Sequence, residues 1–451
     1  MLTNLWETFH NGSIYTIAES SKNIKNIDFK VNLLQTDSMS SLFSGLNQIQ
    51  AINTSTWNTI NITSWYRTFY SCSNLTTIDA SNWILNNATS LASMFEWCNN
   101  LTTLDVSNWN TSKVTSLNCT FGCCFNLREL NVSNWNVDNI TNLNHAFYRC
   151  QKLNNLDVSN WNITKVTNLN NVFESCCNLV NLDLSKWDIG NVTSLAYAFP
   201  WCYDLINLNV STWNTNKVNS LARTFLFLNK ITILDVANWN TSNVDNMEFT
   251  FGICNCLTNL NVVNWNTSKV VNMYGTFSQC NNLKELNLYN WNVSNVLYMQ
   301  SMFANCYNLI NLNIYNWNMY KVTNLTSIFM NCNSLSNTSL ESIGRALSTI
   351  NAWNKTFNNL SNLNALSPFY NSNKYINWNV VSNETAQALV NNGWILAGTP
   401  PVSANFIVQY TDINNTSESL GFDTYTEVQH FVATTTLNLT DFTVQDQGGS
   451  N

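Results

Sequence analysis

Residues 98–117 read CNNLTTLDVSNWNTSKVTSL, and this stretch decides the fold. Cys98, Leu101, Leu104, Val106 and Trp109 stand at set intervals, with Asn, Asp, Ser and Thr in nearly every gap. A tryptophan in so polar a setting needs a buried place built from other parts of the chain, and repetition supplies it. Trp57, Trp83, Trp109 and their successors to Trp317 lie 26 residues apart, as do Phe43, Phe69, Phe95 and theirs to Phe329. A period held without insertion or deletion means that each unit sits on a copy of itself, as in a solenoid.

Within one unit, Leu101, Leu104, Val106 and Trp109 have the spacing of a strand and the turn after it. Side chains alternate across a strand, so Leu104 and Val106 point inward and Asp105 and Ser107 outward. Asn110-Thr-Ser-Lys113 reads as a polar turn. Val114, Leu117, Phe121 and Cys124 then follow at steps of three and four, which predicts a short helix as the opposite wall. About twelve such coils, marked by Phe43 to Phe329, make an α/β solenoid. Aromatic rings bury roughly 150–250 Å² each, so Trp and Phe let a thin coil fill its interior.

Composition narrows the function. Charged residues are only 10% of the 451, the net charge is -7, and Asn supplies about a fifth of the chain. This leaves no cationic field for nucleic acid or anionic lipid. His10, His145 and His430 are the only histidines, a thin supply for acid–base or metal chemistry. The opening MLTNLWETFHNGSIYTI lacks the basic, apolar and small-residue regions of a secretory signal. No run approaches the roughly 20 apolar residues that span a bilayer. Neither a cofactor nor membrane insertion is expected.

Ten of the fourteen cysteines, Cys72 to Cys332, share one place in the repeat, which holds Leu46 and Leu228 at the missing steps. A place that accepts Leu is a small buried apolar site, the usual home of a free thiol. Disulfides between neighbouring coils are the rival reading. Cys119, Cys123, Cys177 and Cys256 lie outside the ladder, and without CxxC or an adjacent histidine a metal or redox role is not indicated.

The run LDVSNWNTSKVTSLNCTFGCC and its copies NVSNWNVDNITNLNHAFYRC and DVSNWNITKVTNLNNVFESCC resemble the BspA-like leucine-rich repeats, the 26-residue surface-protein repeat of mycoplasma-lipoprotein type. The likeness covers residues 31–335. It implies a right-handed leucine-rich-repeat solenoid in surface-exposed proteins, usually of adhesion or recognition, and no common catalytic residues. Relatives on cells usually have a signal or anchor, and neither is evident here.

Residues 1–30 read as an N-terminal cap carrying Ile14, Ile17, Ile24, Ile27 and Phe29, since terminal coils otherwise leave core and strand edges bare. Residues 336–399 read as a helical C-terminal cap. There Thr338-Ser-Leu-Glu341 fits a capping box, a second helix runs from Asn383 with Gly393 as its stop, and Trp394-Ile-Leu is a final strand. Beyond Pro400-Pro401, residues 400–451 form a β-rich tail. Strands at 405–410 and 428–439 are expected, separated by a polar loop, with residues 402–451 able to dock onto other subunits of an assembly.

Candidate sites lie on the outward strand positions. The row Asp79, Asp105, Asn131, Asp157 and onward to Asn287 and Asn313 offers oxygen ligands for calcium, or simply a solvated face diluted by Asn. Its carboxylates are equivalent by repetition, so nothing separates an acid from a nucleophile and no enzyme is expected. Two places on, serines from Ser81 to Ser211 give way to Ala237, Val263, Tyr289 and Tyr315. Exposed aromatics mark contacts, so Tyr289, Tyr315, Asn287, Asn313 and Val263 are the expected partner-binding residues. Sequons such as Asn74-Leu-Thr are as frequent as chance predicts and decide nothing. The expectation is a non-enzymatic recognition or adhesion protein that presents a solenoid face to a protein or glycan on another surface. The alternative is a structural component of a virion or other surface assembly, with the array as rigid spacer.

Overall fold

The computed structural model describes residues 37–350 and 381–391, together with the backbone of strands at 26–28, 406–411, 417–422 and 442–446. The chain divides into two units, one comprising Met1–Asn243 and Thr250–Leu257, the other Val244–Phe249 and Thr258–Asn451. In both, tandem repeats carry short paired parallel strands, giving a solenoid-like repeat fold.

In the first unit β1 (Asn26–Asp28), β2 (Ala51–Asn53) and β3 (Thr77–Ile78) form a parallel sheet, and β4 (Asn181–Asp183) pairs with β5 (Asn207–Asn209). Beyond β3 the ladder continues through the single bridged residues Thr103, Glu129 and Asn155. Strand β1 lies in the stretch expected to be a separate cap, yet it adds a rung to this ladder. Its register, Asn26 opposite Ala51, is one residue shorter than the 26-residue step from Ala51 to Thr77. Of the expected cap residues, Ile27 lies on the β1 backbone, and Ile14, Ile17, Ile24 and Phe29 fall outside the described residues.

Burial follows the predicted alternation: Leu104, Val106 and Trp109 are buried while Asp105 is exposed. Phenylalanines stack from coil to coil, from Phe43 on Phe69 (5.4 Å between centroids) to Phe225 on Phe251 (5.6 Å). Indoles stack likewise, Trp83 on Trp109 at 5.8 Å and Trp135 on Trp161 at 6.3 Å. From Trp109 to Trp239, and again at Trp291 and Trp317, the indole N–H also reaches back 29 residues. Trp109 Nε1 donates to Ala80 O (3.0 Å) and Trp135 Nε1 to Val106 O (3.0 Å), so the ring that closes one coil ties down the strand of the coil before it.

The expected helix is absent. Where Val114–Cys124 was read as a helical face, the chain makes successive turns that share their hydrogen bonds with the next coil. The N–H groups of Leu117, Cys119, Phe121 and Cys123 donate to Asn142, Asn144, Ala146 and Tyr148 O, while those of Thr120, Gly122 and Cys124 donate three residues back. Cys119 and Cys123 take left-handed conformations, φ 54° and 61°, and the same pair of places does so at every copy, as in Ser71, Trp97, Arg149 and Trp201. A helix would spend its N–H groups internally and leave coils joined only by three-residue strands. The left-handed residues cost about 1–3 kcal/mol each, which the added bonds between coils and the stacked rings offset. The three-and-four spacing is met because each turn returns one side chain to the interior.

The second unit repeats this scheme. β6 (Glu285–Asn287) pairs in parallel with β7 (Asn311–Asn313), and Phe277, Phe303 and Phe329 stack at 5.8 and 5.5 Å. At Gly275, φ +59°, the Phe249 ring occupies the space a Cβ would need. Helix α1 (Asn337–Leu347) follows, opened not by Thr338 but by Ser336, whose Oγ accepts from Ser339 N (3.3 Å). One face of α1 covers the edge of β7. Ser339 Oγ accepts from Leu312 N (2.8 Å), and Ser342 Oγ accepts from Ile314 N (2.7 Å). Just past the helix, Thr349 Oγ1 accepts from Met319 N (2.8 Å). Glu341, expected to close a capping box, instead accepts from Ser382 N (2.6 Å), Ser382 Oγ (2.8 Å) and Thr385 Oγ1 (2.5 Å) at the start of α2 (Asn383–Asn391). Gly344 admits α2, since a Cβ there would stand 2.9 Å from Thr385 Cγ2.

In the tail β8 (Phe406–Thr411) lies one residue beyond its expected place, and the antiparallel order is β10–β8–β9. β9 (Ser417–Phe422) runs through the stretch read as a polar loop, its Ser, Glu and Gly concealing it, and β10 (Phe442–Asp446) was not anticipated. The expected strands at 428–439 and 394–396, and Gly393, lie outside the described residues.

Candidate functional site

The outward Asp/Asn row is occupied by local hydrogen bonding. Asp79 Oδ1 accepts from Ser81 N (3.1 Å) and Ser81 Oγ (2.6 Å), and Asp105, Asp157 and Asn131 do the same with Ser107, Ser159 and Ser133. These are Asx turns, which Asn serves as well as Asp because only one oxygen is used. The Ser81 and Ser185 hydroxyls and amides hold the Asp79 and Asp183 carboxyls below their ordinary range. Among the described residues no three or more His, Cys, Asp or Glu are grouped to hold a metal ion. The ladder thiols are free and buried, with Cys98 Sγ donating to Phe69 O (3.2 Å) and Cys150 Sγ to Phe121 O (3.1 Å). Burial pushes the Cys72, Cys254 and Cys306 thiols up to about 12.

Where serine gives way to larger residues, the turn keeps its backbone bond and loses the hydroxyl. Asn261 Oδ1 accepts from Val263 N (3.4 Å), Asn287 Oδ1 from Tyr289 N (3.1 Å) and Asn313 Oδ1 from Tyr315 N (3.4 Å). The side chain two places on is thereby released to project. Tyr289 and Tyr315 are 42% and 45% exposed.

Four of the five expected residues meet in one groove of about 570 Å³ in the second unit. Asn287, Tyr289, Asn313 and Tyr315 line it with Glu285 and Asn311 on the strand side, and Thr338, Ser339, Glu341 and Ser342 of α1 form its other wall. Val263 is half-buried and does not line it. Glu285 and Asn311 were legible, since positions 285, 287 and 289 alternate onto one face. The α1 wall was not, because its placement depends on how a helix 24 or more residues later packs on β7.

The groove is acidic and aromatic. Glu285 Oε1 accepts from Asn311 Nδ2 (3.1 Å), and Glu341 is held by the hydroxyls and amide at the start of α2. The Arg345 guanidinium sits 6.0 Å over the Tyr315 ring and 3.6 Å from Glu384 Oε1.

Comparison with curated proteins finds no match. Residues 37–129, 116–232 and 219–343 each match one family, together more than half the chain, in successive stretches that reflect its internal repetition. The chain therefore belongs to the family described as "Mycoplasma protein of unknown function, DUF285".

Proposed function

We propose that this protein is a non-enzymatic recognition or adhesion protein, surface-exposed, that binds a protein or glycan partner through the Tyr289–Tyr315 groove. In this reading the array is a leucine-rich-repeat solenoid of BspA-like type with about twelve coils, held together by its ring stacks and the backbone bonds between coils. The observation that carries the proposal is the break in the outward column. Serines that hold Asx turns are replaced by two half-exposed tyrosines at the place where α1 turns the flat strand face into a groove. Anchoring aromatics in a concave, partly polar setting are what binding sites are made of.

The test is binding of the full chain to a panel of immobilised extracellular proteins and oligosaccharides. A Tyr289→Ala/Tyr315→Ala variant should lose at least about tenfold in affinity for whatever wild type captures, with its circular dichroism unchanged. Equal capture by variant and wild type would remove the groove from function.

A second reading, a structural component of a surface assembly, is favoured by one observation. Among the described strands, the antiparallel sheet β10–β8–β9 has β9 and β10 at its edges, and edge strands are ready templates for pairing. Deleting residues 402–451 separates the two: self-association or particle incorporation should vanish under the assembly reading, and ligand capture should survive under the recognition reading.

A further inference from the structure

The lining of the groove says what kind of ligand it takes. Its two carboxylates, Glu285 and Glu341, receive only neutral donors, namely an amide, hydroxyls and a backbone N–H. Neither has a cationic partner among the described residues, and Lys284, next to Glu285, does not line the groove. The first turn of α1 also faces it, but a helix N-terminus amounts to roughly half a positive charge, and the Arg345 guanidinium over Tyr315 is itself paired with Glu384 at 3.6 Å, so the two carboxylates are not cancelled. Anionic ligands are therefore disfavoured.

The rings sharpen this. Tyr315 already has a guanidinium over it, that of Arg345. Tyr289 stands one repeat earlier, equally exposed, with no cation over its face among the described residues. It shares an outward strand face with Glu285, four residues before it. Four strand residues span roughly 13 Å, so a basic segment lying along the strand would rest one cation on Tyr289 and bring another to Glu285, each attraction stronger in a concavity than on an open surface.

We propose that the groove binds a basic peptide segment of a partner protein, seating one arginine or lysine head group on Tyr289 and another at Glu285 farther along the same strand face. This rests on the groove being the recognition site. Elsewhere in the array the same pairing is missing. Glu129 holds the place of Glu285 six repeats earlier, next to Arg128 as Glu285 is next to Lys284, but the residue four places on is Ser133.

That equivalence supplies the control. The full chain is titrated calorimetrically with acetylated, amidated tetra-arginine, with tetra-glutamate, and with the neutral sugar chitohexaose. Tetra-arginine should bind, more weakly as salt is raised, and tetra-glutamate should not. Tyr289→Leu, which keeps apolar bulk but removes the ring, and Glu285→Gln should each weaken tetra-arginine binding by about tenfold, while Glu129→Gln leaves it unchanged. The inference is overturned if tetra-arginine does not bind, if Glu285→Gln has no effect, or if Glu129→Gln weakens binding as much, which would mean diffuse attraction to an acidic chain. Chitohexaose binding that Tyr289→Leu abolishes, without tetra-arginine binding, would also overturn it while leaving the groove as the recognition site.

Discussion

At the scale of single residues, the abundance of asparagine has a mechanical cause. Each repeat has several places where a side-chain oxygen accepts the amide two residues on, as in Asn110 with Ser112 N (3.1 Å), Asn136 with Asp138 N (3.0 Å) and Asn142 with Asn144 N (2.9 Å). Other asparagines bridge coils: Asn139 Nδ2 donates to Ser112 O (2.8 Å), and Lys165 Nζ donates to Asn139 Oδ1 (2.7 Å). Lysine is thus paired with an amide, which permits a chain with few charges. Where Asp holds the turn, acid weakens it. The Asp79 and Asp183 carboxyls are lowered in the folded state, so their contribution is present above the unfolded carboxyl range and is lost as pH falls through the folded value. Melting temperature should decline below about pH 4, and Asp183→Asn should shrink that decline slightly, because the exposed site is screened. The thiols predict a second result. In native protein at pH 8, iodoacetamide followed by mass spectrometry should leave buried ladder thiols such as Cys72 and Cys254 unmodified, and denaturant should expose all fourteen cysteines.

At the scale of elements, two devices hold the coils, the first in place of the helix expected in each coil and the second where α1 covers the last strand. The first is the turn ladder, whose left-handed residues are mostly not glycine. Ser71→Gly should therefore stabilise by up to about 1 kcal/mol and Ser71→Val destabilise by about 1–2 kcal/mol, measured by urea unfolding. Equal effects of the two would disprove the left-handed assignment. The second is the hydroxyl face of α1 against β7. Ser339→Ala/Ser342→Ala leaves the buried N–H groups of Leu312 and Ile314 unpaired and should cost about 2–5 kcal/mol, read from the same unfolding curves. Neither serine was identifiable in advance. They read as ordinary helix-start residues, and their task became visible only once β7 was the strand beneath them.

At the scale of the whole molecule, stability is built from neighbour contacts, since the pairings described join coils one step apart. Trp161→Ala removes stacking partners on both sides, Trp135 at 6.3 Å and Trp187 at 6.4 Å, and should cost about 3–5 kcal/mol. In a repeat array that loss should broaden unfolding into more than one phase, with hydrogen exchange accelerating first in the coils around residue 161. A single sharp transition with uniform exchange would contradict nearest-neighbour coupling. The sequence by itself determined the repeat, its period, the inward columns of Leu, Val, Trp, Phe and Cys, and the outward row with its tyrosine break. Those follow from burial, which each residue type announces and which a period of 26 copies along the chain. Only the tertiary structure decided that the second half of each coil is a turn ladder, that β1 extends the strand ladder, and that α1 closes the groove. Those outcomes depend on which coil receives each backbone N–H, and every residue but proline carries the same N–H.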